Sequence, residues 1–272
     1  NASSDDNDTL EMIIKDLLAS YRTNFQFIIQ LVKIDNIVKK RNSSNFGYNW
    51  NIVFSLLTVL VLSVVFNKGF FNGDNYLLYL SLNFFLWQTI SSIFSNSIRL
   101  YEYNSNFLLN NNISFLVFNI KNCIIFFKVY LKLFIIILLI SLYYSVNLVF
   151  IFISFSSLFL IMLNVILISV SISIITTKLI QFENYFSLII LLLFYFTPII
   201  WSENILSNTG STIIKFNPFY HLFNIYNYPI LNGNLNKEYF NSIVICFIFT
   251  IINFIFSNKN YKKEKLNLKN YL

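Results

Sequence analysis

Six stretches of roughly twenty mostly apolar residues constrain this chain more than any other feature: Tyr48 to Phe66, Tyr76 to Ile98, about Ile124 to Tyr144, Leu148 to about Ile175, Tyr185 to Trp201 and Tyr239 to Phe256. A bilayer core has no water to satisfy open backbone groups, so runs of this length are read as membrane-spanning helices. Charged residues make up only 11% of the chain and hydrophobic ones 56%, against about 25% charged in a soluble protein. The predicted fold class is an all-α integral membrane protein with six transmembrane helices. It divides into an N-terminal segment (1–47), a six-span domain (48–256) and a basic tail (257–272).

Lysine and arginine set the orientation. Sixteen fall on one side, counting the segment before the first run, Arg99, Lys121 to Lys132, Lys178 and the tail, and only Lys68, Lys215 and Lys237 fall on the other. The positive-inside rule then predicts that both termini are cytoplasmic. The net charge of +7 fits basic loops facing anionic lipid and requires no nucleic acid. Ahead of the first run, Ile14, Leu17, Leu18, Tyr21, Phe25, Ile28 and Val32 follow helical spacing, with Lys15, Asp16, Arg22 and Lys33 off that face. The pattern predicts an amphipathic helix along the cytoplasmic surface, or a helix packed on a partner.

All three prolines and the one histidine fall between positions 198 and 229, on the predicted external side. Thr197-Pro198-Ile199-Ile200-Trp201, Asn217-Pro218-Phe219-Tyr220-His221 and Pro229-Ile230-Leu231-Asn232-Gly233 predict a broken or re-entrant helical element, because proline removes a donor and disrupts helices. A structured loop capping the bundle is the alternative. A single histidine makes neither a catalytic nor a metal constellation, so His221 is read as a hydrogen-bonding structural residue.

Several kinds of chemistry have no sequence support. Cys123 and Cys246 lie far apart without ligand-like spacing, and Asp6 and Asp8 sit in a polar terminal segment. The spans carry no aspartate, and Glu183 lies only at the edge of the fifth, so an ion-coupled relay is not supported. A phosphate-binding loop of the G-x-x-x-x-G-K-[ST] type is missing, which places any ATP hydrolysis on another subunit. Ser157, Asn164 and Ser171 recur every seven residues, as interhelical hydrogen bonds or a channel lining would require. Trp50, Trp87 and Trp201 fit either an interfacial belt or sugar stacking. Lys121, Lys128 and Lys132 share one helix face and either snorkel to headgroups or line a cytoplasmic access site for an anionic lipid-linked substrate.

Three stretches carry a family resemblance that covers about Leu31 to Phe256. Lys39, Lys40 and Arg41 followed by Ser44-Asn45-Phe46-Gly47-Tyr48-Asn49-Trp50, then Tyr76 to Trp87, then the proline-containing stretches, resemble in order and spacing the permease subunits of type-2 ABC exporters for polysaccharides. These are the membrane halves of O-antigen, capsule and teichoic-acid transporters. The resemblance implies a homodimer in the bacterial inner membrane, bound to two copies of a separate ABC ATPase. ATP and Mg²⁺ would belong to that ATPase and no cofactor to this chain. It also implies export of a lipid-linked glycan to the outer leaflet. Tyr101, Glu102, Tyr103, Phe107 and Leu108 fall where the family has its coupling helix. Pro198, Trp201, Asn217, Pro218, Phe219, His221 and Pro229 fall in its external gate, and Lys40, Ser44, Gly47 and Trp50 at its interface-helix junction.

Departures from the family pattern bear on the cargo. Asn83 stands where glycine is common, Ser114-Phe115 near an absent Phe-Pro, and Asn224 and Asn227 in place of an acid and an arginine. The short segment Asn67 to Asn75 between the first two spans favours polysaccharide over a drug or small-lipid efflux permease. A membrane transferase acting on lipid-linked glycan is a further alternative, and it would need clustered acids or a His-Asp pair that the sequence lacks.

Overall fold

The computed structural model describes residues 25–38, 41, 50–66, 75–110, 114–179 and 181–264. Most of these residues are helical, with no strand among them. The order is α1 (25–38), α2 (Trp50–Phe66), α3 (Tyr76–Ser97), α4 (Leu100–Tyr103), α5 (Ser105–Asn110), α6 (Leu116–Tyr143), α7 (Leu148–Lys178), α8 (Phe182–Phe196), a 3₁₀ turn (Glu203–Ile205), α9 (Asn208–Ile214), α10 (Pro218–Asn232) and α11 (Lys237–Glu264). Lys40, Ser44, Gly47, the Ile14 to Tyr21 part of the predicted amphipathic face, and most of Asn67 to Asn75 lie outside the described residues.

Four helices, α3, α6, α7 and α11, are long and apolar enough to cross a membrane, while α2 and α8 are apolar but shorter. The predicted run Tyr185 to Trp201 stops being helical at Phe196. Pro198 is the reason, since the residue before proline is pushed out of the α region, and Thr197 is extended at φ −102° and ψ 135°. Two other helices exceed their apolar runs. α6 begins two turns before Ile124, and α11 continues to Glu264. Residues 257–264 are therefore packed helix on one side. Ser257, Asn258, Tyr261 and Glu264 turn inward at helical spacing, and Lys259, Lys262 and Lys263 face out.

α3 and α7 form the middle of the bundle. α7 packs against α3, α6, α8, α10 and α11, and α3 against α2, α6, α7, α8 and α10. Small polar side chains join them, as in membranes where apolar burial cannot discriminate helix from lipid. Asn164 Nδ2 donates to Thr250 Oγ1 at 2.7 Å and Asn253 Nδ2 to Asn164 Oδ1 at 2.9 Å, while Ser171 and Ser257 hydroxyls lie 2.9 Å apart. Two members of the predicted seven-residue stripe thus bind α7 to α11; Ser157 bonds within its own helix. Asn119 and Asn122 do the same for α6, reaching Ser173 on α7 at 3.0 Å and the Ile93 carbonyl on α3 at 3.1 Å.

Candidate functional site

Prolines disrupt the chain after α8, and neighbouring side chains take up the open backbone groups. The Tyr76 hydroxyl donates to the Ile200 carbonyl at 2.9 Å. The Tyr79 hydroxyl lies 2.6 Å from the carbonyl oxygens of both Pro198 and Trp201, and its one proton serves them in turn. Asn217 holds the start of α10. Its side-chain oxygen accepts from Phe219 N at 3.0 Å, and its amide donates to the Phe196 carbonyl at 3.2 Å and Thr197 Oγ1 at 3.1 Å. Pro218 follows in the first turn, where its missing N–H costs nothing. At the other end Pro229 sits in the last turns, and Gly233 closes the helix at φ +60°, its N–H donating to the Pro229 carbonyl.

α10 lies inside the bundle rather than on it. Its N-terminal Phe219 meets the rings of Phe94 on α3 and Phe249 on α11, with centroids 6.2 and 6.1 Å apart. Phe249 is about 18 Å along α11 from Lys237, so the tip of the hairpin formed by α9 and α10 reaches deep between the long helices. A hydrogen-bond chain fixes its register. The Asn224 amide donates to Ser242 Oγ at 2.9 Å, Ser242 Oγ lies 3.0 Å from His221 Nδ1, and His221 Nε2 lies 2.8 Å from the Lys215 carbonyl. Because a carbonyl only accepts, Nε2 carries the proton and Nδ1 accepts from Ser242. His221 is fully engaged as a structural residue. Polar groups cluster at the same end, with Tyr220 donating to Glu203 at 2.6 Å and Lys215 lying 3.6 Å from Glu238.

Beside this hairpin, α2, α3 and α8 enclose a groove of about 400 Å³ with Phe54, Phe84, Trp87 and Phe194 as aromatic walls and Gln88, Ser91 and Ser187 as polar points. Trp87 and Phe194 rings are 5.8 Å apart at 40°. Ser55 on α2 donates to Gln88 Oε1 and holds the Gln88 side chain in the groove wall. Trp87 lies about 17 Å into α3 and is buried, so it belongs to this wall and not to an interfacial belt. The sequence reading missed Phe54, Phe84, Gln88, Ser91, Ser187 and Phe194, because nothing in their separate spacings shows that the three helices converge.

The opposite, basic end has its own core. Ile28, Leu31 and Val32 of α1 pack with Tyr101, Leu108, Phe115 to Phe118, Val170, Ile174 and Tyr261. Of the predicted coupling residues, Tyr101 and Leu108 turn into this core, the Tyr101 hydroxyl donating to Asn119 Oδ1 at 2.7 Å. Tyr103 and Phe107 face outward. Glu102 pairs with Arg99 at 2.6 Å, and Arg99, in the left-handed region at φ +55°, also reaches Glu183 on α8 at 3.4 Å. Lys121 pairs with Asp35 of α1 at 2.8 Å; Lys128 and Lys132 are exposed. Trp50 is exposed at the start of α2.

No family model matches the chain. The chain is, however, 28% identical over 253 residues to the O-antigen export system permease protein RfbA of Klebsiella pneumoniae, an alignment covering 89% of this chain and 96% of that protein. Its likeness is to the polysaccharide-export permeases.

Two of the departures noted in the sequence are linked in space. Asn83 and Asn227 are each other's partners, Asn227 Nδ2 donating to Asn83 Oδ1 at 2.8 Å in a buried contact between α10 and α3. Next to them the Tyr130 hydroxyl donates to that of Tyr226 at 2.6 Å. Asn224 is absorbed by Ser242. A buried amide left without its partner loses about 1–3 kcal/mol, whereas removing both can be nearly neutral. Asn83→Leu and Asn227→Leu should each lower stability by about that amount, and the double variant should lose less than the sum, as thermal unfolding in detergent measures. Strict additivity would mean that the pair is not coupled.

Proposed function

We propose that this chain is the membrane-spanning permease subunit of an ATP-driven exporter that carries a lipid-linked polysaccharide of the O-antigen, capsule or teichoic-acid type from the inner to the outer leaflet. The observation that carries this reading is the similarity, along nearly the whole chain, to an O-antigen export permease. In this reading the chain is a transport component and not an enzyme. Six spans, with α2 and α8 completing the four long helices, put both termini in the cytoplasm of a bacterial cell. The subunit works as a homodimer with two copies of an ABC ATPase that supplies ATP and Mg²⁺.

In this reading each part has a task. Flat aromatic faces at Phe54, Phe84, Trp87 and Phe194 suit stacking on sugar rings, and Gln88, Ser91 and Ser187 suit sugar hydroxyls. The deep hairpin of α9 and α10 would close the outer end in this reading, with Pro198, Trp201, Asn217, Pro218, Phe219, His221 and Pro229 as its gate residues. At the basic end the exposed Tyr103, with Phe107, whose ring meets Phe27 at 6.4 Å, would meet a groove on the ATPase. Arg99 and Glu183 would pass its movement to α8, a wall of the groove.

The test is reconstitution in vesicles with the co-purified ATPase. Lipid-linked glycan should stimulate ATP hydrolysis, and Phe54→Ala should cut glycan export about five-fold through loss of one stacking contact, with Phe54→Tyr retaining it. Phe54 is 53% exposed, so its truncation leaves the fold intact. Purification without an ATPase, or hydrolysis indifferent to glycan, would argue against this reading.

A further inference from the structure

A second groove, sharing no residue with the aromatic one, runs between α6 and α7. Its volume is about 430 Å³, and its walls include Ile120, Cys123 and Phe127 on one helix and Phe155, Phe159 and Met162 on the other. Two contacts bound it. At the basic end Asn119 bonds to Ser173, and at the far end the Phe134 and Phe155 rings meet at 5.1 Å. Positions 124 and 134 are about 15 Å apart along α6, which matches the acyl chain of one leaflet, whose half-thickness is about 15 Å. Phe159 is 78% exposed at the rim, so the groove opens sideways to the surroundings of the bundle.

Its flank is positively charged. Lys128 is exposed, follows Phe127 directly and lies one turn beyond Ile124. Lys121, on the same face, is already neutralised by Asp35 at 2.8 Å. The other five acids among the described residues are engaged elsewhere. Glu102 and Glu183 face Arg99, Glu203 faces Tyr220, Glu238 faces Lys215 and Glu264 faces Lys178. Among the described residues, none of these acids is left for Lys128. An ammonium about three turns into α6 needs an anion or water, and a helical side chain leans toward its helix N-terminus, here the basic end.

We propose that this groove holds the acyl chain of an anionic phospholipid whose phosphate sits on Lys128. The lipid acts as a resident side ligand of α6 and α7, independent of the exported glycan. The probe is brominated lipid, which quenches a nearby tryptophan. The full-length chain carrying Phe159→Trp is placed in vesicles of brominated phosphatidylcholine or brominated phosphatidylglycerol, and the added signal is compared with the wild type. Phosphatidylglycerol should be preferred at this position about five-fold, as one lysine near anionic lipid provides. Adding Lys128→Gln should abolish the preference, and Lys262→Gln should leave it. Equal quenching by the two lipids, or a preference surviving Lys128→Gln, overturns the proposal. So does displacement of phosphatidylglycerol by a small mole fraction of an isoprenyl pyrophosphate, which would assign the groove to a glycan carrier. If Phe159→Trp does not fold, native mass spectrometry of the wild type and Lys128→Gln from mixed vesicles decides. Retained phosphatidylglycerol should fall in the variant, and equal retention overturns the proposal.

Discussion

Asn217→Leu should stop export and lower the melting temperature in detergent sharply. One side chain there performs three tasks that a hydrocarbon cannot. It caps α10 by accepting from Phe219 N, and it donates to the Phe196 carbonyl and to Thr197 Oγ1, tying the start of α10 to the broken end of α8. Loss of a cap costs about 1 kcal/mol, and each lost hydrogen bond of this kind about 0.5–1.5 kcal/mol, giving a total of about 2–4 kcal/mol. Asn217→Ser separates the tasks. Serine still caps but is too short to reach both acceptors, so about 1 kcal/mol of the loss should return while export stays impaired. Export equal to wild type in a well-folded Asn217→Leu protein would show that the junction of α8 and α10 does not shape the path.

That junction also shows how much of the fold was legible beforehand. Apolar runs identify the helices well, because in lipid the backbone must close its own hydrogen bonds and length alone selects a spanning segment. Pro198 was visible as a break. What the break requires was not visible, since Tyr76 and Tyr79 lie on a helix about 120 positions earlier and look like interfacial aromatics until α3 is set beside residues 198–201. The ends of helices were misjudged for a related reason. The predicted apolar spans stop short of Asn119, Asn122, Ser257 and Asn258 because these residues are polar, yet they turn inward and α6 and α11 continue through them. Candidate site residues divided the same way. The proline-rich stretch could be found by composition. The aromatic groove depends on three helices meeting, and the inward turn of Tyr101 and Leu108 depends on α1 packing over them.

The other large effect is expected at the basic end, where Lys178→Met should destabilise the protein by about 3 kcal/mol. Lys178 Nζ lies 2.6 Å from Glu264 Oε1, and their side chains are 35% and 6% exposed. Glu264 Oε2 is buried without a hydrogen-bond partner, so the carboxylate relies on the lysine to offset its desolvation. Removing one member of a buried pair costs about 3–5 kcal/mol, and the partial exposure of Lys178 puts this pair at the low end. Glu264→Gln added to Lys178→Met removes the stranded charge and should recover about 2 kcal/mol. Recovery stays incomplete because Lys178 is also the last residue of α7, where a cation offsets the negative end of the helix dipole by about 0.3–1 kcal/mol. Chemical denaturation of the single and double variants distinguishes the two contributions. If the double variant is as unstable as Lys178→Met alone, the buried carboxylate is not the cause, and the loss belongs to packing of the lysine stem between α7 and α11.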